Sequence, residues 1–258
     1  MEYTRGKSSQ IWSNIQNLDF ENLLSEIPMN GKIIKETSKS VSLQLDNYFI
    51  KKTKYNPFEG GFRHLFLSNR CRNIWYISNY LTNYEILTPK PIAYIEALTY
   101  SMPYQHYFIS EFLYNSYNIE VFIKNEIYKE KGVSFYNFFN TLSKMILSLW
   151  EKGIYHKDLS GKNLLTINGQ EIYLVDLDST IIKKYLDIKY KIRNLIQIYD
   201  SFCDFLEEDI LKNFIFSVLP ELTNNELDSV YHKIQLLQKE RREQHLNNLK
   251  KQTIKRVL

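Results

Sequence analysis

Three polar residues in the second half of the chain stand at a spacing suited to metal-assisted chemistry. Asp158 and Asn163 lie five positions apart, and Asp176 ends the apolar run Tyr173-Leu174-Val175. The turn sequence Asn168-Gly169 predicts a hairpin that returns Asp176 close to the other two. Their oxygens would then converge on Mg²⁺, which prefers hard oxygen donors. Since Asp158 could orient or deprotonate a hydroxyl, the pattern indicates phosphoryl transfer, a reaction that depends on positioning and charge neutralisation.

A helix and a hairpin are predicted around these residues. Apolar residues recur at helical spacing from Phe135 to Leu149, and Gly153 stands just past the end of that helix. Leu164–Ile167 and Ile172–Val175 are predicted to be the two strands of the hairpin. Residues 181–258 are predicted to be helical.

The first 112 residues are richer in strand patterns. Apolar and polar residues alternate from Val41 to Leu45, and the turn Asp46-Asn47 leads into a return strand over 48–52. The remaining predicted elements are one helix over 68–84 and strands over 92–95 and 107–112. A strand-rich front, a helical back and a hairpin between them predict an α+β fold of two lobes.

The overall composition is that of an ordinary globular protein, with 44% hydrophobic and 24% charged residues and a net charge of +4. Seven basic and two acidic residues fall within 239–258, so the rest of the chain is nearly neutral. This distribution does not favour a nucleic acid partner, and none is expected. The basic C-terminal helix is expected either to pack against the helical lobe or to contact an anionic membrane surface.

The N-terminus is polar and no apolar stretch is long enough to span a membrane, so no secretory signal is recognised. A cytoplasmic location is expected. Peripheral attachment to the inner face of the cytoplasmic membrane would be compatible with it. Cys71 and Cys203 show no metal-ligand spacing and are expected to be small apolar side chains in a reducing compartment.

The segment around Asp158 resembles a known superfamily. His156, Asp158, Leu159 and Asn163 at this spacing, followed by a hairpin and a strand ending in Asp176, resemble the catalytic and metal-binding loops of protein-kinase-like enzymes. Within that superfamily, the chain from about residue 30 to 205 resembles the lipopolysaccharide core kinases that phosphorylate heptose or Kdo. Four stretches carry this narrower resemblance: 68–75 with 87–93, 107–112, 193–195 and 200–202.

The resemblance implies a bilobal protein-kinase-like fold, with a small β-rich N-lobe over 1–112 that covers the nucleotide and a mainly helical C-lobe over 113–258. It implies ATP and Mg²⁺ as cofactors. Asp158 would be the catalytic base, Asn163 and Asp176 the metal ligands, and His156 a structural residue of the loop.

Nucleotide contacts are also implied by the resemblance. Lys51 would pair with the α- and β-phosphates, although Lys52, on the opposite face of the same strand, is the alternative. Glu111 and Leu113 would offer backbone groups to adenine at the hinge between the lobes. The acceptor would be a lipid-linked sugar.

The sequence also departs from the superfamily pattern. No Gly-x-Gly-x-x-Gly precedes Lys51, and the turn over 36–40 stands in its place. The predicted helix over 68–84 has no internal acid to pair with Lys51; Glu59 and Glu85 only flank it. Asp176 is followed by Leu177-Asp178 rather than Phe-Gly, and no Ala-Pro-Glu follows, which argues against a protein substrate.

Two alternatives to a heptose or Kdo kinase stay open on this basis. One is another small-molecule kinase, of the aminoglycoside or choline type, since such kinases share the pattern formed by Asp158, Asn163 and Asp176. The other is a non-catalytic pseudokinase that serves as a binding module, which the missing glycine-rich loop favours and the intact acids oppose.

Overall fold

The computed structural model describes residues 9–38, 40–53, 70–99 and 102–257, with side chains described over 10–38, 40–53, 70–96 and 105–248. The chain divides into two compact units. The first comprises the residues up to Tyr114 together with Leu174–Asp178, and the second comprises Asn115–Tyr173 and the residues from Ser179 onward. The predicted roles of the two lobes, nucleotide cover and catalytic lobe, stay predictions.

The first unit is built on a six-stranded antiparallel sheet with the strand order β1-β5-β6-β4-β3-β2. Its strands are β1 (Ser9–Ser13), β2 (Lys32–Glu36), β3 (Ser40–Leu45), β4 (Tyr48–Thr53), β5 (Pro91–Thr99) and β6 (Met102–Glu111). The predicted hairpin at Asp46-Asn47 is confirmed, with Leu45 opposite Tyr48 and Asp46 in the left-handed region at φ +47°. The predicted strands over 92–95 and 107–112 are also confirmed.

Among the described residues of this unit, two helices accompany the sheet. Helix α1 (Phe20–Asn30) was not predicted: it begins at Asp19, whose side chain accepts a hydrogen bond from the Asn22 N–H, and it buries Phe20, Leu23 and Ile27. These side chains join a cluster with Leu43, Leu45, Ile50 and Ile109 of the sheet. Helix α2 (Arg70–Asn83) confirms the predicted helix, except that residues 68 and 69 of the prediction lie outside the described part of the chain.

The second unit is mainly helical. Its helices are α3 (Ile119–Lys124), α4 (Ile127–Glu130), α5 (Phe135–Glu151), α6 (Ile188–Phe202), α7 (Glu208–Ser217) and α8 (Asn224–Val257). Its short strands are β7 (Tyr117–Asn118), β8 (Ile154–His156), β9 (Leu164–Thr166), β10 (Tyr173–Leu174, whose last residue belongs to the first unit) and β11 (Thr180–Ile182). β11 pairs with β8, so the predicted helical region begins later than residue 181.

Helix α5 supplies the centre of this unit, as its sequence pattern predicts. Ser134 caps its first turn by accepting a hydrogen bond from the Asn137 N–H, and Gly153 follows its end at φ +67°. Phe139 of α5 meets the rings of Phe202 and Phe214 at centroid distances of 5.8 and 5.4 Å, which joins α5 to α6 and α7.

The predicted hairpin between β9 and β10 is confirmed, with a longer turn than two residues. Asn168 Oδ1 accepts hydrogen bonds from the N–H groups of Gln170 and Glu171, and the Gly169 N–H donates to Thr166 Oγ1. Gly169 has a φ of +77°, and a Cβ atom there would lie 2.8 Å from the Phe122 ring. Both the backbone conformation and the close ring therefore require glycine at this position.

The basic C-terminal segment begins on the packed part of α8. Arg242 donates to Asp200 and Asp204 of the same unit, at 2.8 Å to Asp204 Oδ1, and Gln238 donates to Asp200 at 2.7 Å. The side chains beyond residue 248, including Ile254 and the basic residues after it, lie outside the described part. Membrane contact through this helix therefore stays a prediction. In the described residues, no helix combines the length and apolar character needed to cross a membrane.

Candidate active site

Lys51 lies on β4 in the middle of the six-stranded sheet, between β3 and β6. Its side chain is buried, and its Nζ lies 2.8 Å from Asp176 Oδ1 and 3.4 Å from Asp178 Oδ2. Burial by itself lowers the pKa of Lys51, but the carboxylates of Asp176 and Asp178 more than offset this, so its pKa lies above the ordinary value. The structure thus places a charged ammonium against both acids of the Asp-Leu-Asp segment.

Lys52 occupies a different environment because successive residues of a strand face opposite sides of the sheet. Its Nζ lies 5.5 Å from the centroid of the Tyr107 ring, and burial lowers its pKa. Of the two lysines that the sequence left as alternatives, Lys51 is the one that contacts Asp176.

Asp176 is held in an unusual backbone conformation at the start of the 3₁₀ turn Leu177–Ser179. Its φ is +59°, in the left-handed region that costs a non-glycine residue about 1–3 kcal/mol. The strand before it is fixed on both sides, since the Leu174 N–H donates to Leu87 O and the Leu174 carbonyl accepts from Thr88 Oγ1, both at 2.9 Å. The Asp176 side chain is 44% exposed, so its carboxylate is accessible to a ligand.

Asp178 is the residue of this cluster that sequence reasoning missed. Its side chain is only 17% exposed, and Oδ2 lies 3.4 Å from Lys51 Nζ and 3.7 Å from Arg70 NH1. Its backbone carbonyl accepts a hydrogen bond of 3.5 Å from Asn73 Nδ2. The available signal in the sequence is a second acid two positions after Asp176, at the place where the superfamily pattern has glycine.

In the second unit, Asp158 and Asn163 lie together, as their spacing suggested. Asn163 Nδ2 donates to the Asp158 backbone carbonyl at 2.8 Å and to Asp158 Oδ2 at 3.0 Å. Asn163 ends the 3₁₀ turn Gly161–Asn163, whose last N–H donates to Ser160 O. Because the amide nitrogen of Asn163 donates to Asp158, its amide oxygen is the atom of this side chain that could act as a ligand to a cation.

His156, at the end of β8, contacts this loop. It is buried at the end of β8, its Nδ1 accepts from the Asp158 N–H at 3.3 Å, and its carbonyl accepts from Asn194 Nδ2 at 2.6 Å. Both contacts fix backbone groups next to Asp158. The geometry is that of a residue that holds the loop, the role the resemblance implies for it.

Helix α6 holds the same loop through three polar side chains at i, i+3 and i+7. Asn194 reaches His156; Gln197 accepts from the Leu159 N–H at 2.7 Å and donates to Lys157 O; Ser201 Oγ accepts from the Gly161 N–H at 2.8 Å. The resemblance included Asn194 and Ser201, but Gln197 was missed. The signal for it is a polar residue three positions after Asn194 and four before Ser201, a spacing that puts all three on one helix face.

The hinge residues have part of their backbone committed within the first unit. The Glu111 N–H donates to Lys90 O at 3.0 Å, while Glu111 Oε1 accepts from the Lys90 N–H at 2.9 Å. The Phe112 N–H donates to Asn47 O at 2.8 Å. The Glu111 carbonyl and the backbone of Leu113 stay the predicted adenine contacts.

The turn that stands in place of a glycine-rich loop is built on hydroxyl groups. The Thr37 N–H donates to Ser40 O at 2.9 Å, and the Ser40 N–H donates to Thr37 Oγ1 at 3.0 Å. Lys39, within this turn, lies outside the described residues.

The Asp176 carboxylate in the first unit and the Asn163 amide oxygen in the second are each a hard oxygen group of the kind that Mg²⁺ prefers. Mg²⁺ typically takes one or two such protein ligands and completes its shell with phosphates and water. In the part of the chain that the structure describes, no three His, Cys, Asp or Glu side chains group closely enough to form a metal site alone.

Comparison with known proteins gives a family match over most of the chain. The model of the lipopolysaccharide kinase (Kdo/WaaP) family matches residues 29–215, a span that includes Lys51, Asp158, Asn163 and Asp176. No curated protein matches the sequence.

Among solved structures, WaaP in complex with acyl carrier protein superposes with a TM-score of 0.63 at 16% identity, covering 91% of this chain and 98% of that one. The bifunctional kinase-methyltransferase WbdD gives a TM-score of 0.48 at 13% identity, over 76% of this chain and 42% of that one. The likeness to WaaP confirms the kinase-like fold, and the family match confirms the resemblance found in the sequence. The chain belongs to the lipopolysaccharide kinase (Kdo/WaaP) family.

Proposed function

We propose that this protein transfers the γ-phosphoryl group of ATP to a hydroxyl of a heptose or Kdo in a lipopolysaccharide core, with Mg²⁺ as the cofactor. The observation that carries the proposal is the 2.8 Å contact between Lys51 Nζ and Asp176 Oδ1, since it joins the predicted phosphate-binding cation to the predicted metal ligand. The family match supports both the reaction and the class of acceptor.

Each residue would have a defined task in that reaction. Asp158 orients the acceptor hydroxyl through its carboxylate, one oxygen of which is already fixed by Asn163 Nδ2 at 3.0 Å. The acceptor oxygen forms a bond to the γ-phosphorus while the bond from that phosphorus to the β-phosphate oxygen breaks, and the hydroxyl proton passes to Asp158. Lys51 compensates negative charge on the nucleotide phosphates.

Mg²⁺, when bound, would neutralise charge on the transferring phosphoryl group, and Asp176 and Asn163 are its proposed ligands. The exposed carboxylate of Asp176 suits this task, because a ligand already enclosed by protein groups could not accept a hydrated ion. The strained backbone at Asp176 supports the same assignment, since such strain persists mainly where a function requires it.

A pseudokinase is the second candidate, and a specific observation favours it. The turn over 36–40 uses the Ser40 N–H within the turn itself, so fewer backbone donors are offered to phosphate than a glycine-rich loop provides. In that case nucleotide would bind weakly or be bound without turnover.

The test is a phosphate-transfer assay with γ-labelled ATP, Mg²⁺ and purified acceptors. The acceptors are a lipopolysaccharide core lacking phosphate on heptose and Kdo, an aminoglycoside and choline. We expect labelling of the core alone, and its loss in Asp176→Asn, while Asp187→Asn, in an exposed ion pair with Lys189, keeps wild-type turnover. Labelling of the aminoglycoside or choline would replace the proposed acceptor. ATP binding with no turnover on any acceptor would favour the pseudokinase.

A further inference from the structure

Helix α2 carries positively charged residues where the corresponding helix of protein kinases carries an acidic one. In protein kinases, the strand lysine pairs with a glutamate of the neighbouring helix. Here Arg70–Asn83 contains no Asp or Glu, and its charged residues are Arg70 and Arg72. The helix therefore brings cations, not an acid, toward the sheet that carries Lys51.

Both arginines of α2 contact acids from other segments of the same unit. Arg70 NH1 lies 3.7 Å from Asp178 Oδ2, and Arg72 pairs with Glu96, a buried residue of β5. Asn73, one turn into the helix, donates to the Asp178 backbone carbonyl. The first turn of α2 is thus attached to Asp178 by a side-chain ion pair and by a backbone contact.

Of the two acids that contact Lys51, Asp178 is the less exposed to solvent. Its side chain is 17% exposed, compared with 44% for Asp176, and its Oδ2 serves both Lys51 and Arg70. Asp176 makes the shorter contact with Lys51, at 2.8 Å compared with 3.4 Å for Asp178, but the less exposed carboxylate of Asp178 is less screened by solvent.

The two acids differ in what they can do once a metal ion is present. A carboxylate bound to Mg²⁺ has much of its charge neutralised and attracts a lysine less strongly. Asp178 Oδ2 already faces two cations, Lys51 at 3.4 Å and Arg70 at 3.7 Å, and a third positive charge there would be repelled by both. Asp176 is therefore suited to the metal and Asp178 to the lysine.

We propose that Asp178 is a positioning residue that replaces the missing helix acid: it holds the Lys51 ammonium for the nucleotide phosphates and docks α2 through Arg70. This inference rests on the proposed function, since it assigns Lys51 to phosphate binding. In this arrangement the acid that positions Lys51 comes from the segment after Asp176, the proposed metal ligand, instead of from helix α2.

The test measures ADP binding in the absence of Mg²⁺, by calorimetry in EDTA, so that the lysine contact is read without the metal. Asp178→Asn keeps the size of the side chain and removes the charge. We expect its ADP dissociation constant to rise on the order of tenfold, as in Lys51→Met, with Asp178→Glu recovering part of the loss. The double variant Lys51→Met/Asp178→Asn should bind no more weakly than Lys51→Met alone, because the two residues act through one contact.

Two further variants keep the test selective. Arg70→Gln should weaken ADP binding by a smaller factor than Asp178→Asn, since Arg70 acts through Asp178. Asp228→Asn removes an acid from an ion pair with Lys212 in the other unit and should leave ADP affinity unchanged. If Asp178→Asn fails to fold by thermal melting, Asp178→Glu and Arg70→Gln carry the test.

The outcomes separate this inference from the proposed function. Unchanged ADP affinity in Lys51→Met would remove the phosphate role of Lys51 and with it the proposed nucleotide site. Weakened binding in Lys51→Met with wild-type binding in Asp178→Asn would overturn only the positioning role. If Asp178→Asn bound ADP normally in EDTA but required more Mg²⁺ for turnover, Asp178 would be a metal ligand and the inference would be wrong.

Discussion

Two groups of predicted site residues are held in place by different forces. Lys51, Asp176 and Asp178 in the first unit are arranged by charge, through contacts of 2.8 and 3.4 Å. The loop that carries Asp158 in the second unit is arranged by hydrogen bonds that its backbone N–H groups donate to His156 and to side chains of α6. Charge contacts change when a cation or a phosphate arrives, whereas hydrogen bonds to backbone do not. The first group is suited to respond to nucleotide, and the second to present a fixed carboxylate.

The largest expected effect comes from removing the fixed carboxylate. Asp158→Asn should lower kcat on the order of 10³-fold, because the acceptor hydroxyl loses the group that orients it and takes its proton. ADP affinity should stay at the wild-type value, since the loop geometry is set by other residues. Steady-state kinetics with the labelled acceptor and calorimetry with ADP measure the two quantities. A loss of ADP binding together with kcat would show that Asp158 acts on nucleotide, contrary to this division.

The charged group should respond differently, and adjacent lysines provide a matched pair. Lys51→Met should lower kcat/KM for ATP by about 10²-fold, the usual cost of removing one preorganised charge from a phosphate site. Lys52→Met should change it by less than about threefold, because Lys52 lies against the Tyr107 ring. Both variants are compared at the same ionic strength. Equal losses would mean that the strand presents both lysines to the nucleotide.

The hydrogen-bonded loop can be loosened without touching a reacting group. Gln197→Ala removes the partner of the Leu159 N–H and of the Lys157 carbonyl and should lower the free energy of unfolding by about 2 kcal/mol. Because Asp158 then loses its fixed position, kcat should fall about tenfold with the KM for ATP unchanged. Urea unfolding and steady-state kinetics measure these effects.

The control for this variant is Gln235→Ala on α8, which removes an exposed contact with Glu208 and a longer contact, of 3.4 Å, with the Tyr199 hydroxyl of α6. It should change neither the unfolding free energy by more than about 0.5 kcal/mol nor kcat. A KM effect in Gln197→Ala as large as its kcat effect would contradict the assignment of α6 to the acceptor loop.

The sequence predicted elements whose signals are local. The alternation from Val41 to Leu45 and the helical spacing from Phe135 to Leu149 each determine one element without reference to the rest of the chain. Helix α1 was not predicted, although Asp19 at its start and apolar residues at helical spacing were present in the sequence. Its place in the fold depends on burial against Leu43 and Ile50, which lie on other elements.

The residues that support the site could not be found in the same way. Asp178, Arg70 and Gln197 act through partners that lie 38 to 127 positions away or on other elements, and no spacing rule connects them. The motif residues Asp158, Asn163 and Asp176 were found because a known pattern fixes their order. Supporting contacts have no fixed order, since many folds of the intervening chain can deliver the same carboxylate or amide.

The last expected effect is on stability and thiol labelling and leaves activity unchanged; it distinguishes the two units by their cysteines. Cys71 on α2 is buried, and burial raises the pKa of its thiol to about 12. The unfolded chain releases this proton near pH 9 while the folded protein keeps it, so stability should fall between about pH 9 and 12, by at most about 1.4 kcal/mol per pH unit. Cys71→Ala should remove this contribution in urea unfolding measured across that range.

In the native protein at pH 8.5, iodoacetamide should label Cys203, which is half-buried, and spare Cys71. Equal labelling of both thiols would show that α2 opens readily, which would also weaken the case for its attachment through Asp178.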